Sequence, residues 1–584
     1  MKKIAYFIWG GILFFTSCCN IDEHLSVNNL PEESVKVTAN MPGRGGDTRV
    51  AFNDDKDARV LYVDWKEAGE KFSVVREGKN TTFTQTASTE DEKNIFEGTC
   101  PDAEGSGLYW AIYPHNENVS DETQVPYDLS NQTGILDENK TYMYASSSYI
   151  SNGTELDFRQ MTAILKPQFS LQNDGEKVQT VILTLPEDSY SKGTFNATDQ
   201  SYSPDNDSKR EIKVFANNLE DVYIYLPAIE VTETKSIQVE LHTTHSMYIG
   251  SIQLGKSIKA GKLYETSASS MTLEEAVEFV WKSGITAKTP TGNGTEGEPY
   301  LIKNAANLQW LLDQVNKNEI ENIEDTNNNM GKDYKLMHNL VINSSESLPW
   351  TPIGIEVDDK KEFKGTFEGN GCIISGTLKS GSINLNKHLY FGFFGHLGTS
   401  SHIKNMTLNL NVTGGSTFKE DPNRGAPRHS STGILAGGTK GVIENCSTYG
   451  NVTGGKANGK YWDTVNMSDT GGIVGLHMGT IKNCTNYSNI TGNYGNGGSH
   501  TGGIAGRCGM FQGSSFNGYI ESCVNYGNIT GYGSGNAGGI VGYLDRGKIC
   551  TCNKDYSSLN TIIGNGNGTT SQIDGCTGNH LEEP

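Results

Sequence analysis

The stretch TGGIVG at residues 470–475, followed by IKNC at 481–484 and SNITG at 488–492, decides the fold of this chain. The first phrase recurs at 432–437, 501–506 and 537–542, the second at 443–446, 520–523 and 549–552, and the third at 450–454 and 527–531. One such unit cannot bury its own apolar face, whereas stacked units bury a continuous core. The repeats therefore predict a parallel β-helix, a solenoid in which equivalent residues stack about 4.8 Å apart.

Each copy of the second phrase ends in a cysteine. These residues, Cys446, Cys484, Cys523 and Cys552, are 38, 39 and 29 residues apart. Stacking predicts that these four residues form an internal structural ladder, because cysteine is small, apolar and readily buried. Parallel Cβ vectors hold stacked sulfurs poorly for disulfide bonding, so we expect the thiols to be mostly reduced. The spacing fits no metal site, and neither a metal nor a cofactor is expected.

A short helix is predicted just before the repeats. Its apolar residues fall on one helical face, and Asn304 is suited to the N-cap position. The apolar face consists of Ala305, Leu308, Leu311, Leu312 and Val315. Such a helix would cap the open N-terminal end of the solenoid and shield its strand edges.

Residues 35–270 carry short apolar runs between turn signals, and many of these runs alternate apolar with polar residues. That period-two pattern is typical of half-buried strands, so we predict β-sandwich lobes over this region. Leu273, Ala276, Val277 and Val280 have helical spacing, which predicts a short helix over 271–284 and then a linker to 294. The repeat region is placed at 295–584.

The chain starts with Lys2 and Lys3 and an apolar run over residues 4–15. This run is too short to span a bilayer but suits the core of a signal peptide. The next residues, FTSC at 15–18, resemble a bacterial lipobox, in which the cysteine is acylated and becomes the new N-terminus. We therefore expect a lipoprotein signal peptide over 1–17, lipidation at Cys18, a tether over 18–34, and a lipid-anchored position on the outer membrane, exposed at the cell surface.

The repeat phrases resemble the GLUG repeat, which occurs in bacterial surface proteins and near the N-termini of some IgA-specific metallopeptidases. GEPYLI at 297–302, WTPIG at 350–354 and FKGTFEGNG at 363–371 are similar to its lead-in phrases. The chain has no H-E-x-x-H motif, so the association with peptidases does not transfer.

The N-terminal half resembles the fimbrillins of Bacteroidetes. WKEAGEKF at 65–72 is similar to their W-x-x-G-D-x-I turn, with glutamate in place of aspartate, and three strand motifs are also similar: YWAIYP at 109–114, LDFRQMTA at 156–163 and KAGKLY at 259–264. The resemblance implies a fimbrial subunit acting in cell adhesion, whose partners are other fimbrial subunits joined by donor-strand exchange.

Fimbrillin-like subunits assemble after cleavage at an arginine, which frees a leader strand and opens an acceptor groove. Arg44 and Arg49 lie in a glycine-rich stretch and are the candidate sites of proteolytic processing. A solenoid follows Tyr264 where a donor tail is expected, which implies a subunit at the fibre tip. The alternatives are that 43–49 is an ordinary loop and that the protein is a stand-alone surface lipoprotein.

The charge balance limits the partners. Lys and Arg total 47 against 68 Asp and Glu, a net charge of −21, and no basic tract reverses it locally. Phosphate backbones are repelled by such a chain, so nucleic acid is excluded as a partner. Charged residues are 20% and hydrophobic residues 35% of the chain, which argues against a membrane-embedded body.

Two insertions, at 456–469 and 507–518, interrupt the repeats. Insertions in repeat proteins tend to gather on one face, often the binding face, and aromatic side chains there stack on sugars or contact protein. The candidate ligand-binding residues are Tyr461, Trp462, Met510, Phe511 and Phe516. Alternatively, these side chains fold back onto the solenoid. His429, His477 and His500 lie near repeat bends and are expected at the surface.

The sequence favours a cell-surface protein whose β-helix binds a glycan or protein, of host or microbial origin. A polysaccharide-active β-helix enzyme is one rival, for which Asp463 and Asp469 are the test residues. Catalysis needs paired acids, but acids are sparse between 430 and 560, and the position shared by Glu444 and Glu521 is Lys482 in the copy between. No catalytic residue is therefore assigned. A purely structural surface stalk is the other rival.

Overall fold

The computed structural model describes residues 34–40, 65, 69–86, 94–101, 107–137, 140–171, 175–266, 271–317, 331–355, 362–381, 384–385, 388–419, 429–459, 466–509, 518–533, 535–544, 547–554, 562–563 and 573–579. Strands dominate these residues, and a parallel β-solenoid follows a set of N-terminal sheets. The predicted all-β fold class is confirmed. Among the described residues, no helix has both the length and the apolarity to cross a bilayer.

The described residues of the solenoid form four main stacks of parallel strands, named S1 to S4 in the order in which the chain passes through them. The strands of S1 are Tyr300–Ile302, Tyr334–Leu336, Thr366–Glu368, His402–Lys404, Val442–Glu444, Thr480–Lys482, Gly518–Glu521 and Gly547–Lys554. Those of S2 are Val280–Lys282, Leu340–Asn343, Ile373–Lys379, Thr407–Thr413, Ser447–Thr453, Thr485–Asn486, Asn489–Thr491, Val524–Asn525, Ile529–Thr530 and Ile562–Ile563.

The remaining strands of each coil carry the TGGIVG-type phrase. The strands of S3 are Leu389–Phe391, Ser430–Gly433, Met467–Gly471, Gly498–Gly502 and Asn536–Gly538. Those of S4 are Phe394–Leu397, Ala436–Thr439, Val474–His477, Ala505–Cys508 and Val541–Leu544. Asn384–Leu385, Thr417–Lys419 and Ala457–Gly459 form a short extra stack, and Ile573–Asn579 runs antiparallel to Gly547–Lys554.

The bend between S1 and S2 explains why asparagine precedes cysteine in the second phrase. Asn405, Asn445 and Asn483 have φ of 56°, 53° and 53°, in the left-handed region, and Ser522 has φ of 51°. Asparagine enters this region more readily than most residues because its short side chain forms local hydrogen bonds. The bend therefore recurs in register up the solenoid, and the residue after it is buried in the core.

The predicted capping helix is confirmed as Ala305–Lys317. Asn304 Oδ1 accepts a hydrogen bond from Asn307 N at 3.0 Å, which is the expected N-cap geometry. Its predicted apolar face is buried in the same cluster as the solenoid core. Asn316 Nδ2 donates to Pro352 O at 2.8 Å, so the last turn of the helix is tied to the coil beneath it.

The described residues of the N-terminal region form four sheets. An eight-stranded sheet consists, from edge to edge, of Arg159–Gln160, Met143–Ser147, Tyr109–Tyr113, Lys71–Arg76, Lys79–Gln85, Ile95–Gly98, Val35–Asn40 and Thr154–Asp157. A six-stranded sheet consists of Met271–Glu275, Met247–Leu254, Lys235–Thr243, Val178–Thr184, Glu211–Phe215 and Asn131–Gln132. The two three-stranded sheets are Ile224–Pro227, Thr162–Lys166 and Leu263–Glu265, and Ser201–Ser203, Lys192–Asn196 and Val125–Asp128.

The helix predicted over 271–284 is wrong. Met271–Glu275 is a strand that pairs antiparallel with Met247–Leu254, residues 277–279 form a single 3₁₀ turn, and Val280–Lys282 is the first strand of S2. Helical spacing in a stretch this short is ambiguous. The backbone instead hydrogen-bonds as strands, to the open edge of the six-stranded sheet on one side and to the next coil of the solenoid on the other.

The six-stranded sheet lies against S2 through buried polar contacts. Asn409 Nδ2 donates to Gln179 O at 2.9 Å and to Thr180 Oγ1 at 2.8 Å, and His242 Nδ1 is 2.8 Å from Ser375 Oγ. Buried hydrogen bonds of this kind specify one arrangement, because any other leaves polar groups unsatisfied. The sandwich and the solenoid therefore meet at a defined interface.

Candidate functional site

In the five described coils that contain both S3 and S4 strands, a tight turn joins the two strands and brings two rows of side chains together. The S3 row consists of Tyr390, Ser431, Asp469, His500 and Asn536, and the facing S4 row consists of His396, Gly438, Leu476, Arg507 and Tyr543. The rings of Tyr390 and His396 have centroids 4.9 Å apart, and those of His500 and Tyr543 4.8 Å apart. We call these two rows the polar corner.

A buried contact between a carboxylate and an imidazole lies at the centre of the polar corner. His500 Nδ1 is 2.7 Å from Asp469 Oδ1, and the Asp469 side chain is fully buried. Burial raises the pKa of Asp469, but the hydrogen bond from His500 and the nearby charges of His500, Arg507 and His429 outweigh it and leave the pKa lowered. Asp469 is therefore held as a carboxylate, and the guanidinium of Arg507 in the facing row is also buried.

Two further histidines lie beside this pair. The rings of His388 and His429 stack with centroids 5.0 Å apart, and His429 Nδ1 accepts a hydrogen bond from Met467 N at 3.0 Å. Burial lowers the pKa of His429 to about 4, with smaller contributions from His388, Arg507 and His500 that the carboxylate of Asp469 only partly offsets. His429 is neutral at physiological pH.

A second buried ionic cluster lies at the N-terminal end of the same S4 row. Glu362 Oε1 is 2.9 Å from His396 Nδ1 and 3.2 Å from Lys440 Nζ, and only 1% of Glu362 is exposed. Burial opposes ionisation of Glu362, but hydrogen bonds and charges from His396 and Lys440 prevail and lower its pKa to about 2.

The surface position expected for three histidines is wrong for two of them. His477 is fully buried and His500 is 6% exposed, while His429 is half-buried. His500 lies in the S3 row of the polar corner and contacts Asp469 and Tyr543. His477 lies in the S4 row of Leu397 and Cys508, two residues of the solenoid core, so a position near a bend did not imply exposure. Among the described residues, no group of three or more His, Cys, Asp or Glu is placed to hold a metal ion.

The candidate ligand-binding residues Tyr461, Trp462, Met510, Phe511 and Phe516 lie outside the described residues, as do Cys18, Arg44 and Arg49. The flanks of both insertions are described. Residues 460–465 lead directly into the S3 strand Met467–Gly471, and residues 510–517 follow the S4 strand Ala505–Cys508. The ends of the predicted insertions, 456–459, 466–469 and 507–509, thus belong to the regular coil.

Both insertions are attached at the rim of the polar corner. Arg507 Nη1 is 2.8 Å from Met467 Sδ, so the first residue of the S3 strand contacts the charged side chain of the S4 row. A third interruption, at 420–428, leads into the S3 strand Ser430–Gly433 of the preceding coil. Sequence reasoning missed this one, although its proline and charge content (EDPNRGAPR) departs from the repeat.

A cavity at the sandwich–solenoid junction is another feature that the sequence did not indicate. Its volume is about 420 Å³, and Lys213, Glu240, Ile249 and Cys372 are among the residues that line it. Burial raises the pKa of Glu240, but the hydrogen bond and charge of His242 lower it overall. Lys213, Glu240 and Ile249 belong to three strands of the sandwich, whereas Cys372 belongs to the solenoid and comes more than a hundred positions later, so no local pattern could have signalled the cavity.

The four ladder cysteines occupy equivalent positions: Cys446, Cys484 and Cys523 follow the bend between S1 and S2, and Cys552 lies in register with Cys523 within the continuous strand Gly547–Lys554. All four are buried, and the Sγ atoms of Cys446, Cys484 and Cys523 each lie 3.2 Å from the carbonyl oxygen two residues earlier. Burial raises the pKa of the Cys446 and Cys523 thiols, which makes these positions unreactive.

We expect Cys484→Ala to destabilise the solenoid by about 1–3 kcal/mol, because the lost thiol leaves a cavity that the rigid coils above and below cannot fill. Unfolding of the variant by urea measures the loss. Intact mass after alkylation of the denatured, unreduced protein should show four reactive ladder thiols. Full protection of these thiols would instead mean that the ladder is disulfide-bonded.

His477 provides a pH-dependent contribution to stability. Its Nε2–H donates to Tyr519 O at 3.1 Å, and burial lowers its pKa from 6.5 to about 4. As the pH falls from 6.5 toward 4, the unfolded chain binds a proton that the folded chain does not, so the contribution is complete above pH 6.5 and is lost across this window. The loss is on the order of 1–3 kcal/mol.

His477→Gln keeps a hydrogen-bond donor but cannot be protonated, so its stability should depend less on pH between 6.5 and 4 than that of the wild type. Thermal unfolding at closely spaced pH values measures the slope. The matched control is His245→Gln at an exposed histidine, which should leave the slope unchanged. Equal slopes for all three proteins would show that His477 has no role in the pH dependence.

No protein-family model matches the chain. It is 29% identical over 219 residues to Halomucin of Haloquadratum walsbyi, a match that covers 36% of this chain and 2% of that protein. It is 31% identical over 161 residues to a protein of Evansella cellulosilytica described provisionally as a Gly-rich membrane protein, covering 27% of this chain and 15% of that protein. The chain thus spans only a small part of the length of these relatives.

Solved structures similar to the chain include proteins from Bacteroides species and from Porphyromonas gingivalis. One is a protein from Bacteroides ovatus described provisionally as a cell adhesion protein, with 11% identity, TM-score 0.27, and 42% of this chain and 96% of that chain covered. Another from B. ovatus is described provisionally as an immunoglobulin A1 protease, with 18% identity, TM-score 0.26, and 47% and 86% covered. The tip fimbrial protein Mfa3 from Porphyromonas gingivalis has 10% identity, TM-score 0.22, and 42% and 99% covered. At these scores the likeness supports no functional argument.

Proposed function

We propose that this protein is a cell-surface lipoprotein that acts in adhesion, with the β-solenoid as its binding arm. The observation that carries the proposal is the attachment of the insertions at 420–428, 460–465 and 510–517 to the rims of one polar corner. Variable segments on one edge of a regular solenoid are the usual way in which such scaffolds present a binding surface. The ligand is a glycan or a protein.

The sandwich–solenoid interface supports the role of an arm. Because Asn409, His242 and Ser375 are buried in hydrogen bonds across it, the solenoid is presented in a fixed orientation relative to the sandwich. A binding test therefore requires the full mature chain. A fragment starting at residue 290 would lack Val280–Lys282, the first strand of S2, and would expose polar groups buried at the interface.

The test is binding of the mature chain to arrays of glycans and matrix proteins, with a variant carrying Trp462→Ala and Phe511→Ala, one substitution in each insertion. We expect at least a tenfold loss of affinity for the ligand found. The control is Tyr149→Ala, which changes a side chain 64% exposed on the sandwich and should bind normally. Absence of any binding by the wild type would favour a structural stalk instead.

The proposed anchor is the acylated Cys18. Metabolic labelling of cells with a fatty acid should mark the wild type and not Cys18→Ala, and equal labelling of both would rule out this anchor.

A position at the fibre tip is the finer proposal. Val35–Asn40, which precedes Arg44 and Arg49, lies inside the eight-stranded sheet, between Ile95–Gly98 and Thr154–Asp157, with Val37 and Ala39 buried. Cleavage at either arginine and loss of this strand would open a slot that a donor strand from another subunit could fill. The segment after Tyr264 includes Met271–Glu275, which is already paired with its own sheet and is not free to be donated.

The mature N-terminus of the protein on cells tests this position. An N-terminus at Gly45 or Val50, with immunogold label at fibre ends, is the expected result. An intact acylated Cys18 on every molecule, or label along the fibre shafts, would mean a stand-alone lipoprotein or a shaft subunit.

A polysaccharide-active enzyme is the second candidate, favoured by the 2.7 Å contact between Asp469 and His500. The lowered pKa of Asp469 suits a base or an electrostatic role and not a general acid. Reducing-end assays on a polysaccharide panel test this candidate. Turnover that is lost in both Asp469→Asn and Asp463→Ala would favour the enzyme, and absence of turnover in the wild type would count against it.

A further inference from the structure

The outward face of S2 carries four regular rows of side chains in three successive coils, those of residues 447–453, 485–491 and 524–530, which are followed by the strand Ile562–Ile563. From coil to coil, the rows are Ser447, Thr485 and Val524; Tyr449, Tyr487 and Tyr526; Asn451, Asn489 and Asn528; and Thr453, Thr491 and Thr530. We call these twelve residues the S2 face. It is separate from the polar corner, which is formed by S3 and S4.

The S2 face is held rigid by contacts along its own rows. The ring of Tyr487 stacks on Tyr449 and on Tyr526, with centroids 4.6 and 4.9 Å apart and ring planes within 6° and 11° of parallel. Asn489 Nδ2 donates to Asn451 Oδ1 at 3.3 Å, and Asn528 Nδ2 donates to Asn489 Oδ1 at 3.0 Å. A ligand would therefore meet side chains that are already ordered, which lowers the entropic cost of binding.

One end of the S2 face is already occupied, and the occupant indicates what the rows accept. The ring of Phe215, from the sandwich, stacks on Tyr449 with centroids 3.6 Å apart and planes within 9° of parallel. In the same segment Asn217 Oδ1 accepts a hydrogen bond from Asn451 Nδ2 at 3.0 Å. The rows thus take up a flat ring and an amide side by side.

The C-terminal coils of the same rows are open. Tyr487 is 38% exposed, and Thr491 and Thr530 are exposed. None of the twelve residues is charged, in a chain with a net charge of −21. A charged ligand finds no counter-ion on this surface, whereas a neutral ligand rich in rings, hydroxyls and amides finds a matching partner for each group.

We propose that the open part of the S2 face, centred on Tyr487, Asn489 and Thr491, binds a neutral linear glycan that runs along the solenoid axis. The rise of about 4.8 Å per coil is close to the length of one sugar residue in an extended chain, so successive sugars would meet equivalent rows. Tyrosine edges would contact the sugar rings, and asparagine and threonine side chains would hydrogen-bond hydroxyl or acetamido groups. This inference rests on the proposed adhesive function and adds to it a second site, separate from the insertions at the polar corner, together with the ligand class of that site.

The test uses the full mature chain and three probes: chito-oligosaccharides, cello-oligosaccharides and polygalacturonate. The blocking variant carries Thr491→Lys and Thr530→Lys, which add long charged side chains at exposed positions without removing a ladder contact. The matched control is Thr413→Lys, in the same row but in the coil next to the sandwich. Tyr487→Ala is a second, independent variant.

Binding of at least one neutral oligosaccharide is expected, reduced tenfold or more in the blocking variant and in Tyr487→Ala, and within twofold of wild type in Thr413→Lys. Preference for the chito-oligosaccharides would identify acetamido recognition by the asparagine row.

Glycan binding lost only in Trp462→Ala with Phe511→Ala would overturn the S2 site and leave the proposed function intact. The inference would also be overturned if the chain bound a protein but no neutral glycan, or if it bound polygalacturonate most tightly. Absence of all binding would count against the proposed function itself.

Discussion

Replacement of Asp469 by alanine is expected to destabilise the solenoid by about 3–5 kcal/mol. The carboxylate is fully buried and lies 2.7 Å from His500, and the guanidinium of Arg507, 2% exposed, belongs to the facing row. Removing one member of a buried ionic group leaves the other charge without compensation in a medium that solvates it poorly, and this accounts for most of the loss.

Neighbouring coils supply the matched control for this prediction. One coil earlier, the position of Asp469 is Ser431, and the position of Arg507 is Leu476. The double variant with Asp469→Ser and Arg507→Leu therefore uses residues that the solenoid already accommodates in these rows, and it should recover most of the stability lost in Asp469→Ala. Hydrogen exchange of peptides from 466–509 measures both effects locally. A single variant no less stable than the double would show that the charges are not coupled.

The repeats predicted the solenoid well because the same residue types recur at the same positions. The isoleucine and cysteine of the second phrase lie in register in the core, as expected from their chemistry. The asparagine between them is explained by the left-handed backbone at Asn445 and Asn483, which composition alone did not indicate.

The polar corner could not be found in this way, because its rows change residue type at every coil. Ser431, Asp469 and His500 occupy one position of the repeat, yet they share only polarity. Asp469 and His500 directly precede the same phrase in two successive copies, so the repeat register could have indicated that they stack within S3. The contact of His500 with Tyr543 of S4, across the turn, is evident only in the three-dimensional structure.

The S2 face did leave a signal in the sequence that the repeat analysis did not use. A tyrosine directly precedes each copy of the third phrase, which begins at residues 450, 488 and 527, and lies two residues before an asparagine. These tyrosines are Tyr449, Tyr487 and Tyr526. A pattern of Tyr-x-Asn-x-Thr, read with period two, places three polar rows on the outward face of one strand.

Trp350→Ala is expected to cost the solenoid about 3–5 kcal/mol. Trp350 is 2% exposed, its ring lies 4.7 Å from that of Trp281 and 5.6 Å from that of Phe393, and its Nε1–H donates to Gly392 O at 3.0 Å. Truncation would open a cavity between the first strand of S2 and the aromatic core, and would leave the Gly392 carbonyl without this donor.

The loss should also reach the capping helix. Trp281 Nε1 donates to Gln309 Oε1 at 2.9 Å, so the Trp350–Trp281 contact connects the helix Ala305–Lys317 to the coils beneath it. Hydrogen exchange in 305–317 should accelerate in Trp350→Ala, while peptides of the sandwich strand Val178–Thr184 serve as the internal control and keep their protection. Trp350→Phe retains a stacked ring and loses only the N–H, and we expect about 1–2 kcal/mol for it. Equal losses in the two variants would mean that the hydrogen bond, and not the packing of the indole ring, fastens the cap to the solenoid.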